Sequence, residues 1–198
     1  MKPCVIIGSG GHAKVVIDIL RLMGRTISFA TTKNFSAEGN EISGIPIVGD
    51  DTYLDAFGPD KVDLALGVGA PKLGNLRQSV WSSFETKGYH PVTLIHPSAI
   101  VSPEVVIGDG AQIMAGSVIQ PGCRIGSGAI INTGATIDHD CHVEPFAHIA
   151  PGVTLCGNVT VGENSLIGAG ATVIPGITIG SNCLVAAGAI VNKQADQA

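Results

Sequence analysis

Apolar residues recur every six positions through the second half of the chain. From Ile95 the series runs Val101, Ile107, Ile113, Ile119, Ile125, Ile131, Ile137, Val143, Ile149, Leu155, Val161, Ile167, Val173, Ile179, Val185 and Val191, without one insertion. Four residues after each anchor stands a small or β-branched side chain, such as Ala99, Ala111, Cys123, Ala135, Cys141 or Ala171. Glycine often follows the anchor directly, as at Gly108, Gly126, Gly162, Gly168 and Gly180. A period of six fits neither an α-helix nor a heptad. It is the hexapeptide signature of a parallel β-helix, in which three short strands make one triangular coil.

The first ninety residues follow another pattern. Val5-Ile6-Ile7 is an apolar run that ends at Gly8, which predicts a buried parallel strand. Gly8-Ser9-Gly10-Gly11-His12-Ala13 then leads into a helical pattern, with Val15, Val16, Ile19, Leu20 and Met23 on one face and Gly24 at its end. A second strand is expected over residues 26–30, and an edge segment over 44–49. A short helix capped by Asp50 or Asp51 follows. A third buried strand is expected over 62–66, closed by a second glycine turn at Gly67-Val68-Gly69. A helix over 73–87 and a last strand over 92–95 lead into the repeat. This alternation predicts a Rossmann-like α/β domain with a parallel sheet over residues 1–92, followed by the β-helix over 93–198.

Composition narrows the function. Glycine supplies 27 of the 198 residues, and the excess sits at fixed repeat positions, so it reports tight corners and not disorder. The net charge is −5, the basic residues are scattered and aromatics are 4% of the chain, which argues against nucleic-acid binding. The N-terminal apolar run is too short for a signal peptide or a spanning helix, so no membrane insertion and a cytoplasmic location are expected. Cys123, Cys141 and Cys183 fall on the inward small position, as reduced core filler.

Two stretches carry candidate chemistry. Strand, glycine turn and helix is the phosphate-cradling arrangement, because glycines admit close approach and the helix start offers free N–H groups. The plain alternative is a tight turn without a ligand. A dinucleotide fold places an acid at the end of the second strand, whereas this chain has Thr31 and Thr32, which lowers the NAD reading.

The other stretch is in the repeat. Residues 18 apart share a column, about 4.8 Å from coil to coil. His139 therefore stacks between Pro121 and Gly157, a bare backbone position. Asn132, Asp138, His139, Asp140, His142, Glu144 and His148 concentrate within the hexads from 131 to 148, one coil. Histidine is suited to proton transfer near neutral pH, and Asp140 beside His139 would raise its basicity and fix its tautomer. His142 reads as solvated and His96 as a turn residue. Zinc held by His139, His142 and His148 across a subunit boundary is the alternative. Within one chain the three fall on two faces, a poor tetrahedral set, so no metal is expected.

These features together resemble the acetyl-CoA-dependent hexapeptide acetyltransferases that modify nucleotide-linked amino sugars, and the related sialic acid O-acetyltransferases. The motifs that carry the resemblance are Gly8-Ser9-Gly10-Gly11-His12 and Ile131-Asn132-Thr133 through Ile137-Asp138-His139-Asp140-Cys141. It implies a left-handed β-helix and a homotrimer with active sites between subunits. It implies His139 as general base, with Asp140 as its acidic neighbour and the Gly157 N–H as oxyanion donor. Asn132, His148, Ala169 and Ala187 would then lie along acetyl-CoA, the co-substrate. Gly8, Ser9, Gly10, Gly11, His12 and Gly67 would hold the nucleotide sugar. The implied reaction is direct acetylation of an amino group, at C4 of the sugar. O-acetylation of a sialic acid or similar sugar, a non-catalytic trimeric scaffold that binds nucleotide sugars, and a metal-dependent hydratase are the alternatives. The chain departs from the family pattern at Thr31 and Thr32, and at residues 194–198, where relatives continue into a Gly-Val-Pro-Ala-type tail near the coenzyme. Either the adenine end of coenzyme A is held differently, or the chain is shortened.

Overall fold

The structure is a computed structural model that describes residues 1–33, 35 and 40–194. The tail at 195–198, and with it the expectation about the adenine end, lies outside the described residues. Contacts divide the chain into two units. One is Met1–Gly69 with Ser79–Leu94, and the other is Ala70–Gln78 with the repeat region from Ile95 onward.

The first unit is a five-stranded sheet in the order β3-β4-β2-β1-β5. Its strands are β1 (Cys4–Ile7), β2 (Ile27–Thr31), β3 (Glu41–Ile42), β4 (Ile45–Gly49) and β5 (Asp63–Leu66). β1 lies parallel between β2 and β5, and all four of its residues are buried. The segment expected at the sheet edge is internal, because β4 pairs parallel with β2 and antiparallel with β3. The β3–β4 turn is made by Ser43 and Gly44, both at positive φ (50° and 75°). That is the backbone a two-residue hairpin turn requires. Helix α1 (Gly11–Leu22) buries Ala13, Val16, Ile17, Ile19 and Leu20, while Val15 is exposed. Its apolar face is therefore rotated toward Ile17 from the one expected. Gly24, at φ 67°, follows the helix as expected of a left-handed stop. Helix α2 (Leu76–Glu85) is shorter than the sequence pattern suggests, and Gly74 at φ 152° precedes its first turn. A 3-10 turn at Asp51–Ala56 is capped by Asp50, whose carboxylate accepts from the Thr52 N–H.

Among the described residues the repeat region carries seventeen two-residue strands, from Leu94–Ile95, where the first unit ends, to Ile190–Val191. They form three parallel sheets of six, five and six strands, each strand pairing with those 18 residues away. The hexapeptide period thus becomes a three-faced parallel β-helix. Every anchor from Ile113 to Ile179 is buried, and so are the small residues Ala111, Cys123, Ala129, Ala135, Cys141, Ala147 and Val153 between them. Burying one such aliphatic anchor contributes about 1.5–3 kcal/mol, and each coil repeats the gain against its neighbours.

The corners obey two rules that the anchor series does not announce. Every sixth residue from Gly110 to Gly188 lies at φ between 57° and 77°. Nine of these fourteen are glycine, and the others are Asp140, Phe146, Asn158, Asn164 and Asn182. The glycines directly after the anchors serve a different need. A Cβ on Gly162 would stand 2.5 Å from the Gly180 carbonyl carbon, so close coil stacking keeps that position bare. One residue before the left-handed position, the chain carries Pro121, Pro145, Pro151 and Pro175. An amide there takes no part in the ladder, so proline costs nothing.

One outer face is not open. Gln112, Ile130, His148 and Leu166 point outward from the first strand positions of one sheet, yet each is buried. Ala70–Gln78 lies on this face: the Ala70 carbonyl accepts from His148 Nδ1 (2.7 Å), Arg77 Nε donates to the Gly128 carbonyl (2.9 Å), and Gln78 donates to Glu163 (2.9 Å). Leu184, farther along the same sheet, is 61% exposed. Burial presses the Arg77 guanidinium down to about 9. A guanidinium in such a carbonyl-lined position stays protonated.

Candidate active site

His139 occupies the corner position that elsewhere holds proline. It is exposed, and its Nδ1 lies 2.8 Å from Asp140 Oδ2. Adjacent side chains do not ordinarily meet on a strand. Here Asp140 takes the left-handed position at φ 59°, which swings its carboxylate back to the imidazole. Aspartate tolerates that conformation better than most residues. An ionised carboxylate only accepts, so Nδ1 carries the proton and Nε2 presents its lone pair. The Asp140 hydrogen bond, with the charge of Asp138 behind it, pushes the His139 pKa above its ordinary value.

Gly157 lies directly over that ring. A Cβ there would be 2.5 Å from His139 Nε2, so any side chain would displace the imidazole. Its φ is not in the left-handed region; space and not backbone freedom explains the glycine. Among the described residues its N–H donates to no acceptor. The equivalent N–H groups at Thr133 and His139 are capped by the side chains of Asn132 and Asp138, each at 2.8 Å. At Gly157 the preceding residue is Cys156, which offers no oxygen. The result is an open amide beside a free imidazole nitrogen, the pairing that acyl transfer needs.

Asn132 and His148 meet at another corner. Asn132 Nδ2 is 3.0 Å from His148 Nε2, and Nδ1 binds the Ala70 carbonyl. A carbonyl only accepts, so here too the proton sits on Nδ1, and Nε2 accepts from the amide. Burial pushes the His148 pKa down, and Arg77 adds to this against the pull of the Ala70 carbonyl. His148 is 8% exposed with both nitrogens engaged, a poor proton shuttle and a firm anchor for Asn132. Ala169 and Ala187 are exposed on the same edge as Thr133, one coil apart, with the Gly188 N–H on the Ala169 carbonyl at 2.9 Å.

The structure does not bring all the candidate residues into one cluster. The corner of His139 and Gly157 and the corner of Asn132, Ala169 and Ala187 flank opposite edges of the face that carries Thr136–Ile137 and Thr154–Leu155. His142 is exposed on the strand after His139, and among the described residues no group of three His, Cys, Asp or Glu side chains could hold a metal ion. Cys123 and Cys141 are buried, and their thiols donate to the carbonyls of Asp138 and Cys156 (both 3.0 Å).

In the first unit, Gly10 and Gly11 stand open, with nothing within 4 Å of where a Cβ would be. Gly10 precedes α1 and offers it no side-chain cap. Gly8 is at φ 99°, and a Cβ on it would meet Val68 at 3.0 Å; one on Gly69 would meet His12 at 3.1 Å. The two glycine turns therefore pack on each other. Gly67 is buried beneath them, with Ala13 and Ile6 each 2.8 Å from its Cβ position. Ser9 donates to Thr32 Oγ1 at 2.8 Å. Thr31 donates to Asp51 at 2.6 Å, so a carboxylate from the start of the 3-10 turn after β4 stands where the end of β2 lacks one.

Comparison with known proteins follows both units. Residues 4–82 match the family model described as the PglD N-terminal domain. Residues 104–139 match bacterial transferase hexapeptide (six repeats), and 149–193 the hexapeptide repeat of succinyl-transferase. The structure of PerB from Caulobacter crescentus in complex with CoA and GDP-perosamine is 40% identical in sequence, with a TM-score of 0.90 over 100% of this chain and 92% of that one. This chain belongs to the hexapeptide-repeat acetyltransferases of nucleotide-linked amino sugars. A second member of that family, the acetyltransferase domain of PglB from Neisseria gonorrhoeae in complex with acetyl coenzyme A, is 34% identical, with a TM-score of 0.92 over 99% of this chain and 93% of that one. UDP-N-acetylbacillosamine N-acetyltransferase of Bacillus subtilis is 37% identical over 127 residues, 58% of this chain. The match spans about half of that curated relative, 52% of its length. No helix among the described residues is long and apolar enough to cross a membrane.

Within this family member, sequence reasoning missed the segment Ala70–Gln78. Its second half reads only as the start of the helix expected over 73–87, and no sequence pattern announces that it covers outward-facing Gln112 and His148. It also gave Asp138 no role. The corner prolines were the available signal: they mark the position whose amide is spare, which is the position of His139 and Gly157.

Proposed function

We propose that the protein is an acetyl-CoA-dependent N-acetyltransferase that acetylates the amino group, at C4, of a nucleotide-linked amino sugar. The observation that carries this reading is the Asp140–His139 Nδ1 bond, which leaves Nε2 free beneath the open Gly157 amide. The amine attacks the thioester carbonyl carbon. His139 Nε2 takes its proton as the C–N bond forms, and the Gly157 N–H binds the oxyanion. Collapse breaks the C–S bond, and His139 passes the proton to the departing thiolate. No covalent acetyl-enzyme is needed, because the thiols of Cys123 and Cys141 are buried and donate to carbonyls.

Acetyl-CoA runs along the edge of Ala169 and Ala187, whose small side chains suit a pantetheine arm, with Asn132 held by His148 beside it. That edge and the His139 corner are separated by a whole face of one chain, so neighbouring copies complete each site and the working form is a homotrimer. Gly8, Ser9, Gly10, Gly11 and His12 receive the diphosphate, with open backbone at Gly10 and Gly11 and the start of α1 behind them. Gly67 supports that turn from below. Residues 1–92 serve the nucleotide sugar and 93–198 the transfer, in the cytoplasm. Relatives named as UDP-N-acetylbacillosamine N-acetyltransferase and GDP-perosamine N-acetyl transferase favour an amine as acceptor.

Coenzyme A release against a panel of nucleotide-linked 4-amino sugars tests the reading. Turnover with at least one of them, lost in His139→Ala, is expected. Response to free sialic acid and to none of the panel overturns it.

A further inference from the structure

The two thiols beneath the site do more than fill the core. At most corners the carbonyl of the residue after the anchor accepts from the N–H three residues on, as Glu144 does from Ala147 (3.3 Å), Ala150 from Val153 (3.3 Å) and Gly168 from Ala171 (3.1 Å). Among the described residues the corners that begin at Gln120, Asp138, Cys156 and Ile174, stacked in a single column, lack that bond. Under the second and third of them stand Cys123 and Cys141. The Cys123 thiol donates to the Asp138 carbonyl and the Cys141 thiol to the Cys156 carbonyl, both at 3.0 Å. Each sulfur also accepts the N–H that the open turn leaves over, from Cys141 and from Val159 respectively. Sulfur thus bridges the two turns that carry His139 and Gly157. Val105 and Val159, in the matching places under Gln120 and Ile174, offer no side-chain donor. Farther along the β-helix a hydroxyl makes the same bridge: the Cys183 N–H donates to Ser165 Oγ (2.9 Å), which donates to the Gly180 carbonyl (2.7 Å).

The Cys156 carbonyl and the Gly157 N–H belong to one planar peptide unit. Its N–H is open, so the bond from Cys141 is the one hydrogen bond on that unit among the described residues. A donor on the oxygen fixes the plane of the unit and with it the direction of the N–H. It also polarises the amide, which makes the N–H a stronger donor. We propose that Cys141 is a positioning residue that aims the Gly157 amide at the oxyanion through the Cys156 carbonyl. The proposal rests on the acetyl-transfer reading above. Cys141 is buried and remains a thiol throughout; the groups that meet the reacting atoms are His139 and the Gly157 amide. Charge develops on the thioester oxygen only as the amine adds, so a misaimed amide slows the chemical step and leaves ground-state binding alone.

Cys141→Ala should fold, because alanine fills the same inward position at Ala129, Ala135, Ala147 and Ala171. Its kcat should fall about 10–100-fold, part of the cost of losing an oxyanion donor. KM for the amino sugar and for acetyl-CoA should change less than about 3-fold. The acidic limb of the pH–rate profile should stay in place, because His139 keeps its bond to Asp140. Cys141→Ser restores a donor and an acceptor at the bridge, as Ser165 supplies them elsewhere, and should bring kcat to within about 3-fold of wild type. A Cys141→Ala enzyme with wild-type kcat overturns the proposal while leaving His139 as base. A Cys141→Ser enzyme as slow as Cys141→Ala overturns it too, since the volume of the side chain and not its hydrogen bond would then matter. Thermal melts accompany the assays, and a loss of kcat confined to temperatures at which the variant has begun to melt counts against the proposal in the same way. If wild-type enzyme releases no coenzyme A with any amino sugar, the acetyl-transfer reading itself fails and this proposal falls with it.

Discussion

Two histidines of the same β-helix show how differently one repeat can treat the same side chain. His139 sits on a corner, exposed, with a carboxylate on Nδ1, and its pKa is pushed up. His148 sits at the first position of a strand, buried beneath Ala70–Gln78, with a carbonyl on Nδ1, and its pKa is pushed down. Both carry the proton on Nδ1. The difference lies at Nε2: on His139 it faces an open amide, and on His148 it is occupied by Asn132. The corner thus builds a group that can move a proton, and the covered face builds one that holds another side chain still. A repeat without the segment Ala70–Gln78 would expose His148 and erase the distinction.

The comparison breaks most sharply under substitution of the two histidines. His139→Ala should lower kcat about 10²–10⁴-fold, the usual contribution of a general base. It should shift the melting temperature by less than about 2 °C, because an exposed side chain is removed. His148→Ala should do the reverse in stability, costing about 1–3 kcal/mol by leaving the Ala70 carbonyl and the Asn132 amide without their partner. Stopped assays and thermal melts of the two variants side by side decide this. Equal destabilisation by both would show that exposure does not separate them.

Gly157→Ala sharpens the corner alone. Its methyl group would occupy the space of the imidazole, so His139 has to rotate off Asp140. A displacement of about 1 Å in a reacting group costs roughly 10²-fold. Loss of kcat at near-normal thermal stability is expected, and an active Gly157→Ala enzyme would mean that the ring does not work from beneath this amide.

Asp140→Asn tests the electrostatics in a smaller step. His139 accepts a proton only when neutral, so activity is present above its pKa and lost as pH falls through it. The Asp140 bond raises that pKa, so the wild-type acidic limb should lie above the ordinary imidazole range. In Asp140→Asn the limb should move down toward 6.5, with kcat reduced about tenfold as the tautomer loses its partner. A pH–rate profile that keeps its limb would assign it to another group.

How much of this was legible in the sequence differs between the two histidines. The anchor series Ile95 to Val191 gave the register, and counting by 18 put Gly157 over His139 and Cys141 inside. The contact between His139 and Asp140 was readable only as adjacency, because a strand would have sent them apart. It forms because position 140 takes the left-handed corner, a rule hidden when only the anchors are followed. His148 was legible as a polar residue near the site and not as a buried one. Its burial depends on a segment 78 residues earlier, and no local pattern reports a contact of that range. In the first unit, α1 and the parallel strands followed from apolar runs. The placement of β4 did not, since the two residues of β3 are too short to read as a strand.

The smallest effect is the pH dependence of stability, and its sign separates the two histidines again. Burial lowers the His148 pKa in the folded chain below its ordinary 6.5. Between the folded and unfolded values the unfolded chain binds more protons, so stability rises with pH across that window. The contribution is fully present above about pH 6.5 and is lost as pH falls toward the folded pKa, by at most about 1.4 kcal/mol per pH unit. His139 has the opposite sign, because its folded pKa is raised, but it is solvated and its share is screened. Melting temperatures from pH 7.5 down to 5 should therefore fall more steeply in wild type than in His148→Asn, and equally in wild type and His139→Asn. Parallel melting curves for all three proteins would place the two imidazoles in equivalent environments, which the covering segment on one face forbids.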